Sequence, residues 1–372
     1  MTKRITLSTA TLNGTEMEYI QEAFDTNWVT CAGHNIDAFE REISEKVGIA
    51  HSVALSSGTA ALHLSIKILG IEPGDIVFCQ DVTFAASCNP VKYENAIPVF
   101  IDSESESWNM CPKALEKAFR KYPNVKAVIL VHLYGTPAKL DEIIEICKNH
   151  GVPIIEDAAE SLGSVYKGKQ TGTFGNVATL SFNGNKIITT SGGGMFLCDD
   201  KESAGKIRFW STQSRDPARH YQHSELGYNY RMSNICAGIG RGQLNTLDLR
   251  VQQKTDIYNR YKAALSGNEL ICMNPVPDNC KANHWLSCFT LEKRSRVSVL
   301  DIMEKLEKEN IETRPVWKPM SMQPYYSGSD FIKVSDEAVG HDIFSRGLCL
   351  PSDVKMTEDE QNHVCNLILG MF

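Results

Sequence analysis

The chain has 372 residues, 42% hydrophobic and 22% charged, which is enough for one large domain and a smaller one in an ordinary enzyme-sized protein. Its formal net charge of -7 argues against nucleic acid as the main partner, because binding a phosphate backbone needs a basic face. The chain has no run of about 20 apolar residues to span a bilayer, and Met1-Thr2-Lys3-Arg4-Ile5-Thr6-Leu7-Ser8 lacks the apolar core of a signal peptide, so the expectation is a cytoplasmic protein with no membrane partner.

From about residue 50 to 200, short apolar runs alternate with amphipathic stretches. The runs predict strands at 52–55, 76–79, 98–101, 127–131, 153–156 and 178–181. Between them the pattern predicts helices at 60–69, 112–122 and 140–149. In the last of these, Leu140, Ile143, Ile144 and Cys147 recur at helical spacing on one face, and Gly151 supplies a stop. Uninterrupted Val/Ile/Leu runs joined by helices indicate an α/β fold with a mostly parallel sheet covered on both sides. Beyond Cys198 the pattern changes. Residues 203–211 read as helix, 212–231 as irregular and polar, and 233–265 as one long helix. A strand at 285–291, a helix at 299–309, a strand at 311–314 and a helix at 357–370 suggest a small α+β domain. The expected division is 1–250 for the large domain and 251–372 for the small one.

Twelve cysteines contain no Cys-x-x-Cys pair and no zinc spacing, so they read as reduced and mostly buried. His220 and His223 lack a third ligand, and no metal site is expected.

In parallel sheets, ligands bind beyond the carboxyl ends of the strands. Ser57-Gly58-Thr59 follows the first strand and opens a helix, a ready anion site. Asp157 follows the 153–156 strand. Ser181 closes the 178–181 strand, and Lys186 lies just beyond, ahead of Gly192-Gly193-Gly194. A lysine amine, a carboxylate and a phosphate cup are the parts of a pyridoxal 5'-phosphate (PLP) site: a Schiff-base lysine, a partner for the pyridine nitrogen and an anchor. Taken alone, Asp157-x-x-Glu160 reads as a helix N-cap; Lys186 downstream favours the cofactor role. Phe84, past the second strand, is placed to stack on a flat ring. Arg208, Arg215, Arg219, Arg231, Arg314 and Lys318 flank aromatic and polar segments, and arginine suits phosphate and carboxylate. Any one of them alone is more often a solvated charge.

The run Ser181-Phe182-Asn183-Gly184-Asn185-Lys186-Ile187-Ile188-Thr189-Thr190-Ser191-Gly192-Gly193-Gly194-Met195 resembles the nucleotide-sugar aminotransferases of the DegT/DnrJ/StrS group, in the fold-type I PLP superfamily. So do Glu156-Asp157-Ala158-Ala159-Glu160-Ser161-Leu162-Gly163, Val131-His132-Leu133-Tyr134-Gly135 and Gly227-Tyr228-Asn229-Tyr230-Arg231-Met232-Ser233-Asn234. The likeness runs along essentially the whole chain. It is nearest to bacterial enzymes that aminate UDP-linked 4-keto-6-deoxy-N-acetylhexosamines for glycan or exopolysaccharide synthesis.

That resemblance implies roles. Lys186 would bond the cofactor and Asp157 would pair with its pyridine nitrogen. Phe84 and Ala159 would sandwich the ring, and Glu160 would lie near the ring hydroxyl. Ser57, Gly58, Thr59 and Ser181 would hold the phosphate. Asn229 would reach the phosphate of a neighbouring subunit, making the active unit a homodimer. Arg231, Arg314 and Lys318 would contact the sugar nucleotide, and glutamate would donate the amine. The chain departs from the family pattern at Trp28-Val29-Thr30-Cys31-Ala32-Gly33-His34 and at His284, where arginine is common. Sugar dehydratases of the same group carry histidine in place of the lysine, so Lys186 argues against that activity. A silent binding or regulatory protein would have lost the lysine or the aspartate, and both are present.

Overall fold

The computed structural model describes residues 3–372. Its main sheet has eight strands in the order His51–Leu55, Gly194–Cys198, Val177–Ser181, Ile154–Asp157, Ala127–Val131, Ile76–Gln80, Ile97–Ile101 and Phe331–Ile332. The six strands expected up to residue 181 are all present, displaced by at most one residue. All pairs are parallel except those of Gly194–Cys198, which runs antiparallel to both neighbours. The strand ends Leu55, Gln80, Val131, Asp157 and Ser181 therefore share one edge of the sheet.

Successive strand residues point to opposite faces, and both faces are covered. Val77, Cys79 and Ile129 pack into a core with the Gly58–Ile68 and Lys201–Ser211 helices. Phe78, Val128 and Leu130 pack on the other side with Pro112–Lys121 and Leu140–His150. A third cluster joins Ala54, Ala178 and Leu180 to His34–Val47, a helix that the sequence reading did not single out.

The expected long helix is two helices, Asn234–Leu244 and Leu247–Leu265. The break falls at Asn245-Thr246, two residues with low helix propensity. The second helix lends Ile257, Tyr261 and Leu265 to a separate core. This core backs a four-stranded antiparallel sheet, ordered Ile271–Met273, Cys288–Leu291, Gly347–Cys349 and Arg314–Pro315. Val299–Lys308 and Glu358–Leu369 cover it, each opened by a capping box, at Ser298/Asp301 and at Thr357/Glu360. The expected strand at 311–314 is reduced to Arg314–Pro315, and Ile311 instead bridges to Ile5. Among the described residues, no helix is long and apolar enough to cross a membrane.

Candidate active site

At the carboxyl edge of the main sheet lies a cavity of about 330 Å³, within the roughly 300–1,000 Å³ range of small-molecule sites. Ser57, Gly58, Thr59, Phe84, Asp157, Ala159, Glu160, Ser181 and Lys186 all line it. The topology brings these nine together because each follows or ends a strand of the same edge.

Ser57 is the N-cap of Gly58–Ile68, its hydroxyl accepting from the backbone N–H of Ala60 at 3.0 Å. The first N–H groups of a helix have no partner within it, so Gly58 and Thr59 present donors and a positive helix end at the cavity. This turn is pressed against the strand that follows the glycine run. A Cβ on Gly194 would stand 2.4 Å from Gly58 N, so only glycine fits there. Gly192 and Gly193 line the cavity itself.

Asp157 is the last residue of its strand, and turns rather than a helix follow it. The helix-cap reading therefore fails, although Asp157 Oδ1 does accept locally from Ala159 N at 3.1 Å. Its Oδ2 accepts from Ser87 Oγ at 2.7 Å. Burial raises its pKa, opposed by those bonds and by the nearby Lys186 charge. Its neighbour Glu156 points to the other side, where His132 Nε2 lies 2.8 Å from Oε1, and Phe174 N and Gly175 N donate to Oε2 at 2.7 and 3.0 Å. That carboxylate is structural.

Lys186 sits in a loop closed at its base by Phe182, whose N–H donates to Gly193 O at 2.9 Å and whose carbonyl accepts from Thr190 N at 3.0 Å. Burial pushes the lysine pKa down, with Glu160 and Asp157 pulling it back up. Burial pushes the Glu160 carboxyl up to about 7, and Glu160 Oε2 accepts from Tyr134 N at 2.6 Å.

The donor set fits PLP. A buried amine faces two buried carboxylates, and Asp157 is suited to a cationic partner such as a protonated pyridine nitrogen. A helix end and Ser181 suit a phosphate. Phe84, with its ring centre 5.5 Å from that of Trp317, offers a flat wall.

A second cavity of about 530 Å³ adjoins the first and shares Phe84, Asn185, Trp285 and Trp317 with it. Arg314 and Lys318 line this second space, as does Glu312, whose Oε1 accepts from Arg314 Nη2 at 2.6 Å. Arg231 reaches neither cavity. Its guanidinium is buried, paired with Glu40 and bonded to Ala54 O at 2.9 Å, while Arg208 holds the other oxygen of Glu40 at 2.8 Å. The expectation that Arg231 contacts substrate is corrected: it braces the first strand. Asn229 is exposed and does not line the cavity of its own chain. His284 lines neither cavity and stacks on Tyr258 with ring centres 4.1 Å apart. The Trp28–His34 segment also stays out of both, with Trp28 half exposed.

Sequence reasoning did not assign roles to Ser87, Trp285 or Trp317. Ser87 lay in the quoted Phe84 segment, but its bond to Asp157 depends on two strand ends meeting. The tryptophans come from a distant part of the chain, and nothing in their local sequence marked them.

The family model described as "DegT/DnrJ/EryC1/StrS aminotransferase family" matches residues 10–369. A relative from Bacillus subtilis (strain 168), named "Putative pyridoxal phosphate-dependent aminotransferase EpsN", is 49% identical over 100% of this chain and 97% of its own. The GDP-perosamine synthase of Escherichia coli O157:H7 is 36% identical, covering 98% of each chain. The crystal structure of a DegT DnrJ EryC1 StrS aminotransferase from Brucella abortus superposes with a TM-score of 0.87 at 27% identity, covering 96% of this chain and 95% of that one.

Proposed function

The chain belongs to the DegT/DnrJ/EryC1/StrS aminotransferase family, and from that premise we propose that it moves an amino group from glutamate to C4 of a nucleotide-linked 4-keto-6-deoxy sugar. It is a PLP-dependent sugar aminotransferase. We take a UDP-linked N-acetylhexosamine as the first reading of the substrate. A GDP-linked sugar is the second, favoured by the 36% identical GDP-perosamine synthase.

The observation that carries the proposal is the pair of joined cavities. One holds Lys186, Asp157 and Glu160; the other holds Arg314 and Lys318. When bound, PLP supplies an electron-accepting ring and carries the amino group between donor and acceptor. The protein supplies the rest. Asp157, fixed by Ser87 and Ala159 N, would face the ring nitrogen and favour its protonated form. Gly58, Thr59 and Ser181 would hold the phosphate. Lys186 Nζ, whose proton affinity burial lowers, takes a proton from the donor carbon and returns it to the sugar carbon. Arg314 and Lys318 neutralise the pyrophosphate of the nucleotide.

Assembly as a homodimer is part of the same reading. Asn229 is exposed on the 212–231 segment together with Tyr221 and Leu226, and Met17 on the Glu16–Asp25 helix and Trp28 just beyond it leave further apolar surface uncovered. Hybrids of Lys186→Ala and Asn229→Ala subunits would contain one site with neither defect, so activity returns if Asn229 acts across the interface.

The substrate is tested by incubating enzyme and glutamate with UDP- and GDP-linked 4-keto-6-deoxy sugars and reading products by mass spectrometry and NMR. A 4-amino sugar from the UDP series supports the first reading and one from the GDP series alone selects the second. Turnover of neither, by PLP-loaded enzyme, contradicts the proposal.

A further inference from the structure

Lys186 has a support that the roles above do not use. Its Nζ stands 3.9 Å from the centre of the Trp285 ring. The same indole donates from Nε1 to the carbonyl oxygen of Asn185 at 2.6 Å. Asn185 is the residue directly before the lysine. One side chain thus touches both the tip of Lys186 and the backbone that carries it.

Trp285 is itself fixed from several directions. Its N–H donates to Asn283 Oδ1 at 2.9 Å, and Asn283 Nδ2 donates to the carbonyls of Glu160 and Leu162 at 2.8 and 2.9 Å. The fit there is close: a Cβ on Gly135 would overlap Asn283 Oδ1 at 1.8 Å. The Trp285 carbonyl accepts from Lys254 Nζ at 3.1 Å. Lys254 also donates to Ser352 O at 2.6 Å and to Ser8 Oγ at 3.0 Å, and Ser8 Oγ donates to Asn185 O at 3.2 Å. These bonds fix the Trp285 backbone at both its N–H and its carbonyl, and the side chain is 2% exposed and packs against Tyr134 and Trp317.

A tryptophan face attracts an ammonium more strongly than any other aromatic face. Among the described residues, the other charged groups facing the Lys186 amine are the Glu160 and Asp157 carboxylates, and no second cation lines the cavity. Resting on the reading that Lys186 is the reactive lysine, we infer that Trp285 is a positioning residue: it fixes the Asn185 carbonyl and gives the Lys186 amine a platform while that amine holds a proton.

The test uses the full chain loaded with pyridoxamine phosphate, which leaves the lysine amine free. Trace acetylation with acetic anhydride across a pH series, read by peptide mass spectrometry, gives the titration profile of Lys186 against exposed lysines. Removing the platform disfavours the ammonium form. In Trp285→Leu the midpoint should move to lower pH, raising the rate at pH 8 by about threefold or more, with Trp285→Phe in between. A rise in plateau alone, from easier access, leaves the midpoint in place and overturns the inference. So does an equal midpoint shift in Phe289→Leu, a substitution in the core behind the small sheet that lines neither cavity. If Trp285→Leu does not fold, Trp285→Phe decides. It keeps a ring and loses the indole N–H, and should lower kcat about fivefold while moving the Lys186 midpoint to lower pH; an unchanged kcat overturns the inference. A borohydride label on some other lysine in the PLP-loaded wild type would instead sink the underlying reading.

Discussion

The two joined cavities share four residues but are built from different material. The cofactor cavity draws Ser57, Gly58, Thr59, Asp157, Ser181 and Lys186 from the ends of strands that are locked in one sheet. The adjoining cavity draws Leu7, Ser8, Glu312, Arg314, Lys318 and Phe344 from the N-terminal stretch, the small sheet and its connections. Sheet register fixes the strand-end members of the first set, and the loop closed at Phe182 carries Lys186. The second set depends on how the smaller sheet docks, and on side chains with long flexible stems. On the proposed reading, the same contrast separates the chemistry, assigned to a few rigid groups, from the choice of sugar nucleotide, assigned to the softer wall.

That contrast can be broken from either side. The largest effect belongs to the rigid set. Asp157→Asn keeps size and the Ser87 contact while removing the charge at the ring nitrogen, and should lower kcat by about 10²–10³-fold, the scale of a lost electrostatic contribution in a buried site. Steady-state kinetics with unchanged circular dichroism measure it, and a near-normal rate would reduce Asp157 to a structural turn residue. The softer set should respond more mildly and in a different constant. Arg314 is more than half exposed and already paired with Glu312, so Arg314→Ala should raise KM for the sugar nucleotide about three- to tenfold with kcat little changed. Wild-type KM should also climb with ionic strength, and less steeply in the variant. Unchanged KM and salt response would return Arg314 to the surface.

The smallest effect belongs to Lys254, which bonds the Trp285 carbonyl and Ser8 Oγ. Burial pushes the Lys254 pKa down to about 7, against the attraction of Asp353. Between that value and the ordinary lysine range, the unfolded chain binds more protons at this position than the folded one. The wild type therefore gains stability relative to Lys254→Met as pH rises from about 7 to 9. Thermal melts should show the difference in Tm widening by about 1–3 °C in favour of the wild type over that window. A gap that is constant with pH would mean that Lys254 keeps its charge throughout.

The same division governs how much the sequence made legible. The β-branched runs at 76–79 and 127–131 could only be buried strands, and residues just past such strands must meet at one edge. Asp157 and Lys186 were readable for that reason. Strand direction is not written in hydrophobicity, so Gly194–Cys198, an apolar run like the others, gave no sign that it runs antiparallel. Nor did the pattern show that Phe331–Ile332 returns to the main sheet beside Ile97–Ile101. Arg231 misled because a charge beside aromatic residues reads alike whether it meets a ligand or, as here, a buried Glu40. Trp285 and Trp317 escaped because their place depends on contacts with distant parts of the chain, such as the Asn185 carbonyl for Trp285 and the Phe84 ring for Trp317.

The central claim is that Lys186 and no other lysine bonds the cofactor. Borohydride reduction of the PLP-loaded protein, followed by peptide mass mapping, tests it directly. The account predicts loss of the visible absorption band and a single phosphopyridoxyl label on the 183–188 loop at Lys186. A label on another lysine, with Lys186 unmodified, would contradict it.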